Sequence, residues 1–431
     1  MDNRQLIQQS LDYIEENLKA EITVQELAET AGFSIYHYYK VFQTAVGIPV
    51  MQYIQRRRLL NAIYDIRQGN QMTATALLYG FDTFAGFYKA FKREFGYTPS
   101  QFLEKYESRK PYKINLFQEE HIMITHKKIS EILKNWNLQN EEIRDAYFES
   151  SGIHNENAYY VGDKYMIKFS ANLGKIRKHI LLSDAIERVG LHSASAIETI
   201  DGQKIVADGE LYYCLIKRLD GNQLKTANFY ENDYAQKARF LGEIIGQLHL
   251  ALKDLDMEVP EAELYQNVVN QALPDAKKYL ELSDEFCEQY VNHFGDIYDN
   301  LPRQVIHRNP NPSNIITNGS AWGFTEFELS EKNIRIYDPC YAATAILSES
   351  FATATALQLS KWIEIYKNII YGYDSVVELS EDEKAAIPYV ILSNQFICVS
   401  WFAKQDKYQD IYQVNVKMSK WIVENFEGLA F

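Results

Sequence analysis

Two short stretches of the chain carry hydroxyl, aromatic and basic side chains whose chemistry suits contact with double-stranded DNA. The candidates that would face base edges are Ile35, Tyr36, His37 and Lys40 in the first stretch, and Thr83, Phe84, Tyr88 and Lys89 in the second. Lys92 and Arg93 are better placed for phosphates. Phosphate contacts supply salt-dependent affinity without sequence information, so the base-facing residues should set the specificity for a DNA sequence.

An internal repeat predicts the elements that must position these residues. Gly-Phe-Ser at residues 32–34 recurs as Gly-Phe-Asp at residues 80–82. Each copy continues with an aromatic residue, a glycine and a proline, which are Phe42, Gly47 and Pro49 in the first copy and Phe91, Gly96 and Pro99 in the second. The pattern is typical of a helix-turn-helix present twice, with the second helix of each pair in the major groove. The alternative is two helical hairpins that do not bind DNA.

Hydrophobic periodicity predicts a short helix before each glycine, over residues 24–30 and 73–79. The positions expected to face inward are Leu27 and Ala28 in the first helix and Ala76 and Leu77 in the second. Ser34 and Asp82 are predicted to cap the helices that follow, because short polar side chains accept hydrogen bonds from the first free backbone N–H groups of a helix.

The charge distribution supports a local DNA-binding face. Residues 1–110 carry 13 Lys and Arg against 12 Asp and Glu, whereas the remaining residues carry 31 against 46. The one basic concentration consists of Arg56, Arg57, Arg58, Lys89, Lys92 and Arg93. A formal net charge of −14 excludes binding of nucleic acid through bulk positive charge, but it leaves one basic face open.

This first part of the chain resembles the AraC/XylS family of bacterial transcription regulators over residues 3 to about 107. The most specific stretch is residues 80–102, which is similar to the family's second-unit signature; Ala85 and Gly86 depart from it, so base contact by Gly86 is not expected. The resemblance implies two units joined by one long helix, here over about residues 50–68, with reading helices in successive major grooves roughly 34 Å apart.

Length and composition predict a folded protein of more than one domain, since 431 residues exceed a usual single domain. We place the DNA-binding domain at residues 1–110, a linker at 111–120 and a second domain at 121–431, with lobes of about 121–220 and 221–431. Four dispersed cysteines indicate neither a disulfide framework nor a zinc site and fit a reducing cytoplasm. Neither a signal peptide nor a membrane span is predicted.

The pattern of the second domain changes from strands to helices. A helix is predicted over residues 127–136, strands over 146–149, 158–161, 165–169, 204–206 and 212–217, and helical periodicity from Tyr234 onward. Strands followed by helices indicate an α+β lobe joined to a helical lobe. The predicted fold class is therefore multidomain, with an all-α tandem helix-turn-helix domain followed by an α+β bilobal domain.

An ordered set of polar residues lies in the second lobe: His307, Asn309 two residues later, Asn314 five residues after that, and then Glu326. Read singly, the asparagines would pass as turn residues. The ordered set resembles the catalytic loop and metal segment of the aminoglycoside phosphotransferase and choline kinase-like family, relatives of the protein kinases. Further matches are Lys168, Leu219–Asp220–Gly221, Leu241–Gly242 with Leu248–His249, and Tyr337–Asp338.

The resemblance implies a role for each position in phosphoryl transfer. Lys168 would hold nucleotide phosphates, Asn314 would be a Mg²⁺ ligand, and Glu326 would occupy the position of the metal-binding aspartate. Asn309 would occupy the catalytic-base position, where a neutral amide cannot take a proton. The implied cofactor is ATP or GTP with Mg²⁺. Asp184 and Glu187 both stay open as the acidic partner of Lys168.

Three functions follow. The first is a cytoplasmic, sequence-specific regulator whose kinase-like domain senses a small molecule or nucleotide as a pseudokinase, with catalysis impaired by Asn309 and Glu326. The second is a bifunctional regulator with an active ATP-dependent small-molecule phosphotransferase domain. The third makes the second domain a scaffold for a homodimer, without a ligand. The acidic balance would suit a cationic effector or would be only a solvated surface.

Overall fold

The computed structural model describes residues 3–106, 110–111, 113–117, 123–147, 154–255, 259–319, 321–405 and 408–431. The chain divides into two compact units, one formed by Met1–Ile176 and Ile197–Arg218 and the other by Arg177–Ala196 and Leu219–Phe431. The first unit holds the predicted helix-turn-helix pairs together with a β-sheet, and the second is mostly helical. The domain boundaries expected near residues 110 and 120 lie within the first unit and stay a prediction.

Seven helices form the N-terminal part of the first unit within the residues that the structure describes. They are α1 (Asn3–Glu16), α2 (Val24–Thr30), α3 (Ile35–Val46), α4 (Val50–Arg67), α5 (Met72–Leu78), α6 (Phe84–Phe95) and α7 (Pro99–Lys105). The pairs α2–α3 and α5–α6 are the two helix-turn-helix units, and α4 connects them. Their turns contain Gly32 and Gly80, whose φ angles of 72° and 81° lie in the left-handed region that favours glycine.

Two local predictions for the second helix-turn-helix pair, α5–α6, are wrong. Thr83, not Asp82, is the N-cap of α6, and its hydroxyl accepts a hydrogen bond from the Gly86 backbone N–H at 3.0 Å. The cap moves because α6 begins one residue later after its glycine than α3 does. Leu77, which was predicted to face inward, is 52% exposed. The buried residues of α5 are Thr75 and Ala76, so the buried face of this helix lies one residue earlier in the sequence than predicted.

The rest of the first unit is a helix against a sheet. Its elements are α8 (His126–Leu133), a 3-10 turn (Lys134–Trp136), β1 (Ile143–Tyr147), β2 (His154–Val161), β3 (Tyr165–Ser170), the start of α9 (Leu173–Arg188), the end of β5 (Ala196–Ile197), β6 (Val206–Asp208) and β7 (Leu211–Lys217). The rest of α9 and all of β4 (His192–Ser193) lie in the second unit. The strand order is β1-β2-β3-β7-β5, with β6 paired to β7. The boundary between the units falls inside α9 and β5. Residues 148–149 of the first predicted strand lie outside the described residues.

The second unit combines long helices with short strands. Its further elements are β8 (Asn222–Gln223), α10 (Tyr234–Leu252), α11 (Leu264–Asn267), α12 (Leu273–Leu280), α13 (Asp284–Tyr298), β9 (Arg303–Ile306), β10 (Ile315–Asn318), β11 (Ala321–Phe324), β12 (Glu331–Ile334), α14 (Tyr337–Ser350), α15 (Ala356–Asp374), α16 (Glu381–Phe402) and α17 (Gln409–Glu424). The sheets are β4-β11-β10-β8 and β12-β9. A Cβ atom on Gly242 would lie 1.9 Å from the Ile369 carbonyl oxygen, so glycine is required where α10 and α15 meet.

One helix in the described part of the chain, α16, is long and apolar enough to span a membrane by composition alone. However, 67% of its most apolar window is buried within the protein. Its Val390 and Ile391 belong to the hydrophobic core of the second unit. This burial is what the core helix of a folded domain requires.

Candidate functional site

The first reading helix, α3, exposes all four of its predicted DNA-facing residues. Ile35 and Tyr36 are 46% and 83% exposed, and His37 and Lys40 are exposed as well. The Ser34 hydroxyl accepts a hydrogen bond from the His37 N–H at 3.3 Å and so starts the helix at this point. Tyr38, Phe42 and Val46 face the core, which leaves the opposite side of the helix free to enter a groove.

The second reading helix, α6, exposes fewer of its predicted residues. Tyr88, Lys89, Lys92 and Arg93 are exposed. The Phe84 ring is only partly exposed and packs near Phe87, with ring centroids 6.2 Å apart. Thr83 is exposed, but its hydroxyl serves as the N-cap. The DNA contacts of these residues stay a prediction, and Thr83 has a structural task that sequence analysis missed.

The arginines of the predicted basic concentration are mostly structural. Arg56 and Arg57 are buried on α4, and Arg57 forms an ion pair with Glu15 of α1 at 2.5 Å. Arg58 donates to the backbone carbonyl oxygens of Leu18 at 2.9 Å and Ala20 at 2.6 Å. The basic face of this domain therefore depends on the lysines and on Arg93, because three of its six members are used inside the fold.

In the second unit, the carboxylate of Asp338 holds the loop that follows β9. Asp338, at the start of α14, has no exposed surface. Its oxygens accept hydrogen bonds from the backbone N–H groups of His307 at 2.8 Å and Arg308 at 2.9 Å. Nε2 of His249 on α10 lies 3.0 Å from the same carboxylate. A buried carboxylate with three donors fixes this loop firmly to two helices.

His307 connects this loop to the segment before Glu326. Its Nε2 lies 2.8 Å from the Thr325 carbonyl oxygen, which can only accept, so Nε2 carries the proton. Its Nδ1 then accepts a hydrogen bond from the Asn309 N–H at 3.3 Å. Burial lowers the pKa of His307 below its ordinary value, although the negative charge of Asp338 opposes the shift. The imidazole is therefore neutral and acts as a structural link.

Asn309, Asn314 and Glu326 are brought together on this framework. The side-chain amide nitrogen of Asn314 donates to the backbone carbonyl oxygen of Asn309 at 2.9 Å. The Thr325 N–H donates to the Asn314 carbonyl oxygen at 2.9 Å, which places Glu326 next to this pair. Glu326 has a φ angle of 64°, in the left-handed region that few non-glycine residues adopt. Strained backbone conformations of this kind cluster at active sites and ligand-binding sites, where the surrounding structure maintains them.

Arg308 is a member of this site that sequence analysis did not single out. Its φ angle is 75°, and its guanidinium forms an ion pair with Glu331 at 2.7 Å. It also lies over the Tyr337 ring, 4.4 Å from the centroid, and donates to the Tyr337 hydroxyl. No spacing rule links residues 308, 331 and 337, so only the fold reveals this contact.

Lys168 lies in the other compact unit, on β3. It is 5% exposed, and it pairs in register with Ala158 of β2 and Cys214 of β7. A buried lysine on a central strand is unusual unless its ammonium group has a partner, so Lys168 is not an ordinary solvent-exposed strand lysine. Its proposed contact with phosphates stays a prediction.

The donor set suits a metal ion that arrives with a nucleotide. The Asn314 amide nitrogen is used in the bond to Asn309, so its oxygen is the atom available to a cation. The described residues hold no cluster of three or more His, Cys, Asp and Glu side chains fit for a metal on their own. Mg²⁺ commonly takes only one or two protein oxygens and completes its shell with phosphate oxygens and water. Asn314 and Glu326 fit that requirement.

Comparison with known families divides the chain in two. Residues 27–105 match the family described as "Helix-turn-helix domain", and residues 150–367 match the one described as "Phosphotransferase enzyme family". The HTH-type transcriptional activator AarP of Providencia stuartii is 35% identical over 96 residues, which cover 22% of this chain and 71% of that protein. The uncharacterized HTH-type transcriptional regulator YbfP of Bacillus subtilis is 29% identical over 108 residues, which cover 24% of this chain and 37% of that protein.

Solved structures resemble the C-terminal part. Amicoumacin kinase hAmiN, in complex with AMP-PNP, Ca²⁺ and Ami, has a TM-score of 0.53 at 12% identity, and the match covers 70% of this chain and 92% of that one. A microcompartment-associated aminopropanol kinase has a TM-score of 0.51 at 14% identity, covering 70% and 98%. At these identities the likeness concerns the fold alone. The predicted fold class and both family resemblances are confirmed.

Proposed function

We propose that this protein is a transcription regulator whose kinase-like domain senses a ligand. The chain belongs to the phosphotransferase enzyme family, and it carries an AraC-type helix-turn-helix domain at its N-terminus. The exposed faces of α3 and α6 would read an operator. Ligand binding would change operator affinity, which requires that the ligand prefer one of two states of the protein. The proposed place of action is the cytoplasm.

One observation carries the sensing proposal. The loop after β9 has the hydrogen bonds of an organised active site, with the Asp338 carboxylate accepting from His307 and Arg308. At its centre, however, stands Asn309, whose amide can orient a hydroxyl but cannot remove a proton. General-base assistance is commonly worth about 10²- to 10⁴-fold in rate. A site that keeps its architecture and lacks this group can bind a ligand without consuming it.

The proposed cofactor is ATP or GTP with Mg²⁺, held by Lys168, Asn314 and Glu326. When bound, it would supply the metal and the phosphates whose charges these residues neutralise. The amicoumacin kinase structure, which contains AMP-PNP and Ca²⁺, supports this choice of ligand class. Glu326 carries one more methylene than aspartate and would place its oxygens differently, in a coordination shell that Mg²⁺ holds strictly.

The proposed effector class is an amine-bearing alcohol. Residues 111–431 carry 31 Lys and Arg against 46 Asp and Glu, an acidic balance that attracts cations. An aminopropanol kinase, whose name denotes an amino alcohol, resembles this domain in fold. The electrostatic argument and the fold likeness agree, and each alone would be weaker.

The test measures operator binding and turnover in the same full-length protein. An operator is first selected from random duplexes, and its affinity is then measured by fluorescence anisotropy with and without Mg²⁺, a non-hydrolysable ATP or GTP analogue, and a panel of amino alcohols. We expect at least one combination to change the dissociation constant by about fivefold or more. We also expect no release of ADP or GDP above the buffer rate.

A matched variant locates the effect. Asn314→Ala should abolish the response to the nucleotide analogue and leave operator affinity without ligand unchanged. A response that survives in this variant would contradict the assigned pocket, and the absence of any response in the wild type would contradict sensing. Steady-state turnover in the wild type, lost in Asn314→Ala, would instead establish the bifunctional phosphotransferase, which the ordered Asn309–Asn314 contact also supports.

A further inference from the structure

The two reading helices end at equivalent glycines of the repeat, and a later part of the chain contacts each glycine. Gly47 is the C-cap of α3 and Gly96 the C-cap of α6, with φ angles of 92° and 74°. A Cβ atom on Gly47 would lie 1.9 Å from the Met123 carbonyl oxygen, and one on Gly96 would lie 2.7 Å from Cγ of Arg144. The same point of each reading helix is therefore contacted from outside the repeat.

At the first helix the contact is made by backbone. The Met123 N–H donates to the Val46 carbonyl oxygen at 3.2 Å, and so satisfies one of the free carbonyls at the end of α3. The chain before it is also attached: the side chain of Gln8 on α1 donates to the Ile114 carbonyl oxygen at 2.9 Å and accepts from the Leu116 N–H at 2.7 Å. Where the structure describes the predicted linker, the chain contacts α1, which precedes the first helix-turn-helix unit.

At the second helix the contact is made by β1. Arg144 lies against Gly96, and its guanidinium donates to the Gly162 carbonyl oxygen at 2.9 Å and to Asp163 at 2.8 Å. Both acceptors belong to the turn between β2 and β3. The side chain that covers the end of α6 is therefore held in place by the sheet of the kinase-like domain.

A buried set of charges strengthens this contact. Arg56 of α4 forms ion pairs with Glu94, in the last turn of α6, at 2.8 Å and with Asp145 of β1 at 2.5 Å. The Asp145 side chain has no exposed surface, and that of Arg56 is 7% exposed. Nε2 of His126 lies 3.2 Å from the second oxygen of Asp145. Buried charges tolerate little displacement, because each would lose its partner without gaining water.

We infer that Met123, Arg144 and Asp145, here called the brace, position the two reading helices for DNA and make the first lobe of the kinase-like domain a working part of the DNA reader. Asp145 is a positioning residue, acting on α6 through Arg56 and Glu94. The brace is also continuous with the sheet that carries Lys168, since Asp145 pairs with Tyr159 in register and the neighbouring Ala158 pairs with Lys168. The inference concerns DNA binding itself and goes beyond ligand sensing.

The test uses the full-length protein and three duplexes: the selected operator, and two versions in which one or the other half-site is scrambled. Asp145→Asn removes the charge that Arg56 requires and keeps the size of the side chain. We expect it to weaken binding to the duplex that retains only the half-site of α6 by about 5- to 150-fold. Binding to the duplex that retains only the half-site of α3 should change by less than about twofold.

A second variant and a control keep the result interpretable. Arg144→Ala removes the side chain over Gly96 without leaving a buried charge, and it should show the same half-site selectivity more weakly. Asp208→Asn removes another ion pair of the same lobe, with Lys128 at 2.6 Å and 39% exposure on both sides, and should leave all three affinities within about twofold of the wild type.

Hydrogen exchange gives a second readout, because coupling is reciprocal. Operator binding should slow exchange of the β1 amides in the wild type and in Asp208→Asn, and should not do so in Asp145→Asn. Equal losses on both half-sites, unchanged affinity of Asp145→Asn and Arg144→Ala, or β1 exchange that ignores the operator would each overturn the inference. Ligand sensing fails separately, if no nucleotide or amine changes operator affinity while the brace variants behave as described.

Discussion

Nε2 of His249 lies 3.0 Å from Oδ2 of Asp338, and neither side chain has any exposed surface. The other nitrogen of His249 lies 2.8 Å from the Tyr373 hydroxyl on α15. Because Asp338 also accepts from the backbone of His307 and Arg308, this contact connects the candidate active-site loop to α10, α14 and α15. The loop geometry is thus a property of the helical core, and the chemistry at Asn309 is separate from it.

Removing the Asp338 carboxylate should destabilise the second unit strongly. Asp338→Ala leaves the buried His307 N–H, the partly buried Arg308 N–H and His249 without their acceptor, which we expect to lower the free energy of unfolding by about 3–5 kcal/mol. Urea unfolding followed by tryptophan fluorescence measures the change. The exposed Asp254→Ala is the control and should stay within about 0.5 kcal/mol. A loss for Asp338→Ala as small as the control's would show that the loop is held by other contacts.

Lowering the pH should reduce the stability of the second unit, because His307 becomes protonated more readily in the unfolded chain than in the folded protein. Burial depresses the pKa of His307, whereas in the unfolded chain the group titrates near its ordinary value of about 6.5. The unfolded state therefore takes up a proton first, and stability is full above about pH 6.5 and falls as the pH drops below it. We expect the melting temperature to fall between pH 7.5 and 5.5 by less in His307→Gln than in the wild type. Parallel pH profiles for the two proteins would contradict the assignment.

Restoring a carboxylate at the base position should create or raise phosphotransfer activity. Asn309→Asp supplies the missing proton acceptor in a loop that is already organised, so we expect an increase of about 10²- to 10⁴-fold in ADP release with Mg²⁺, ATP and an amino alcohol. Asn309→Ala, which changes the side chain without adding a charge, is the matched control and should remain at the wild-type rate. If Asn309→Asp binds nucleotide and stays at that rate, a second defect, with Glu326 the first candidate, limits catalysis.

Each exposed lysine of the reading helices should contribute to the salt dependence of operator binding. Lys40→Ala and Lys89→Ala each remove one positive charge from the exposed face of a reading helix, so the slope of log affinity against log salt should become less steep by up to about 0.9 per lysine. Fluorescence anisotropy titrations at salt concentrations from about 50 to 200 mM measure the slope for each variant. Lys127→Ala, an exposed lysine on α8, should leave the slope unchanged. Unaltered slopes for both Lys40→Ala and Lys89→Ala would contradict the assignment of these lysines to the DNA-facing sides of α3 and α6.

Substitution of Thr83 and of the adjacent Asp82 should have different effects on stability, because only Thr83 caps the second reading helix. Thr83→Ala removes the acceptor for the Gly86 N–H and should lower the stability of the first unit by about 0.5–2 kcal/mol. Asp82→Ala, at the neighbouring exposed position, should cost less than about 0.5 kcal/mol. Thermal unfolding of both variants distinguishes them. A larger loss for Asp82→Ala would return the cap to the residue that sequence analysis preferred.

Much of the fold could be predicted from the sequence because it depends on local rules. α2 spans the predicted residues 24–30, and α4 ends within one residue of its prediction, since apolar spacing and glycine turns act over a few residues of chain. The strand over 165–169 is present as β3, one residue longer. The order His307, Asn309, Asn314, Glu326 is likewise a property of one continuous segment, so the resemblance could be recognised before any coordinates.

Only the tertiary structure reveals the contacts between residues that lie far apart in the chain. The sequence marks Arg56 as part of a basic face, and the fold buries it between Glu94 and Asp145. Arg308 and Glu331, or Gly96 and Arg144, share no spacing that a periodicity could reveal. Local patterns determine which elements form. Burial and the pairing of charges are set by how those elements pack, because a charge far along the chain becomes a neighbour only after folding.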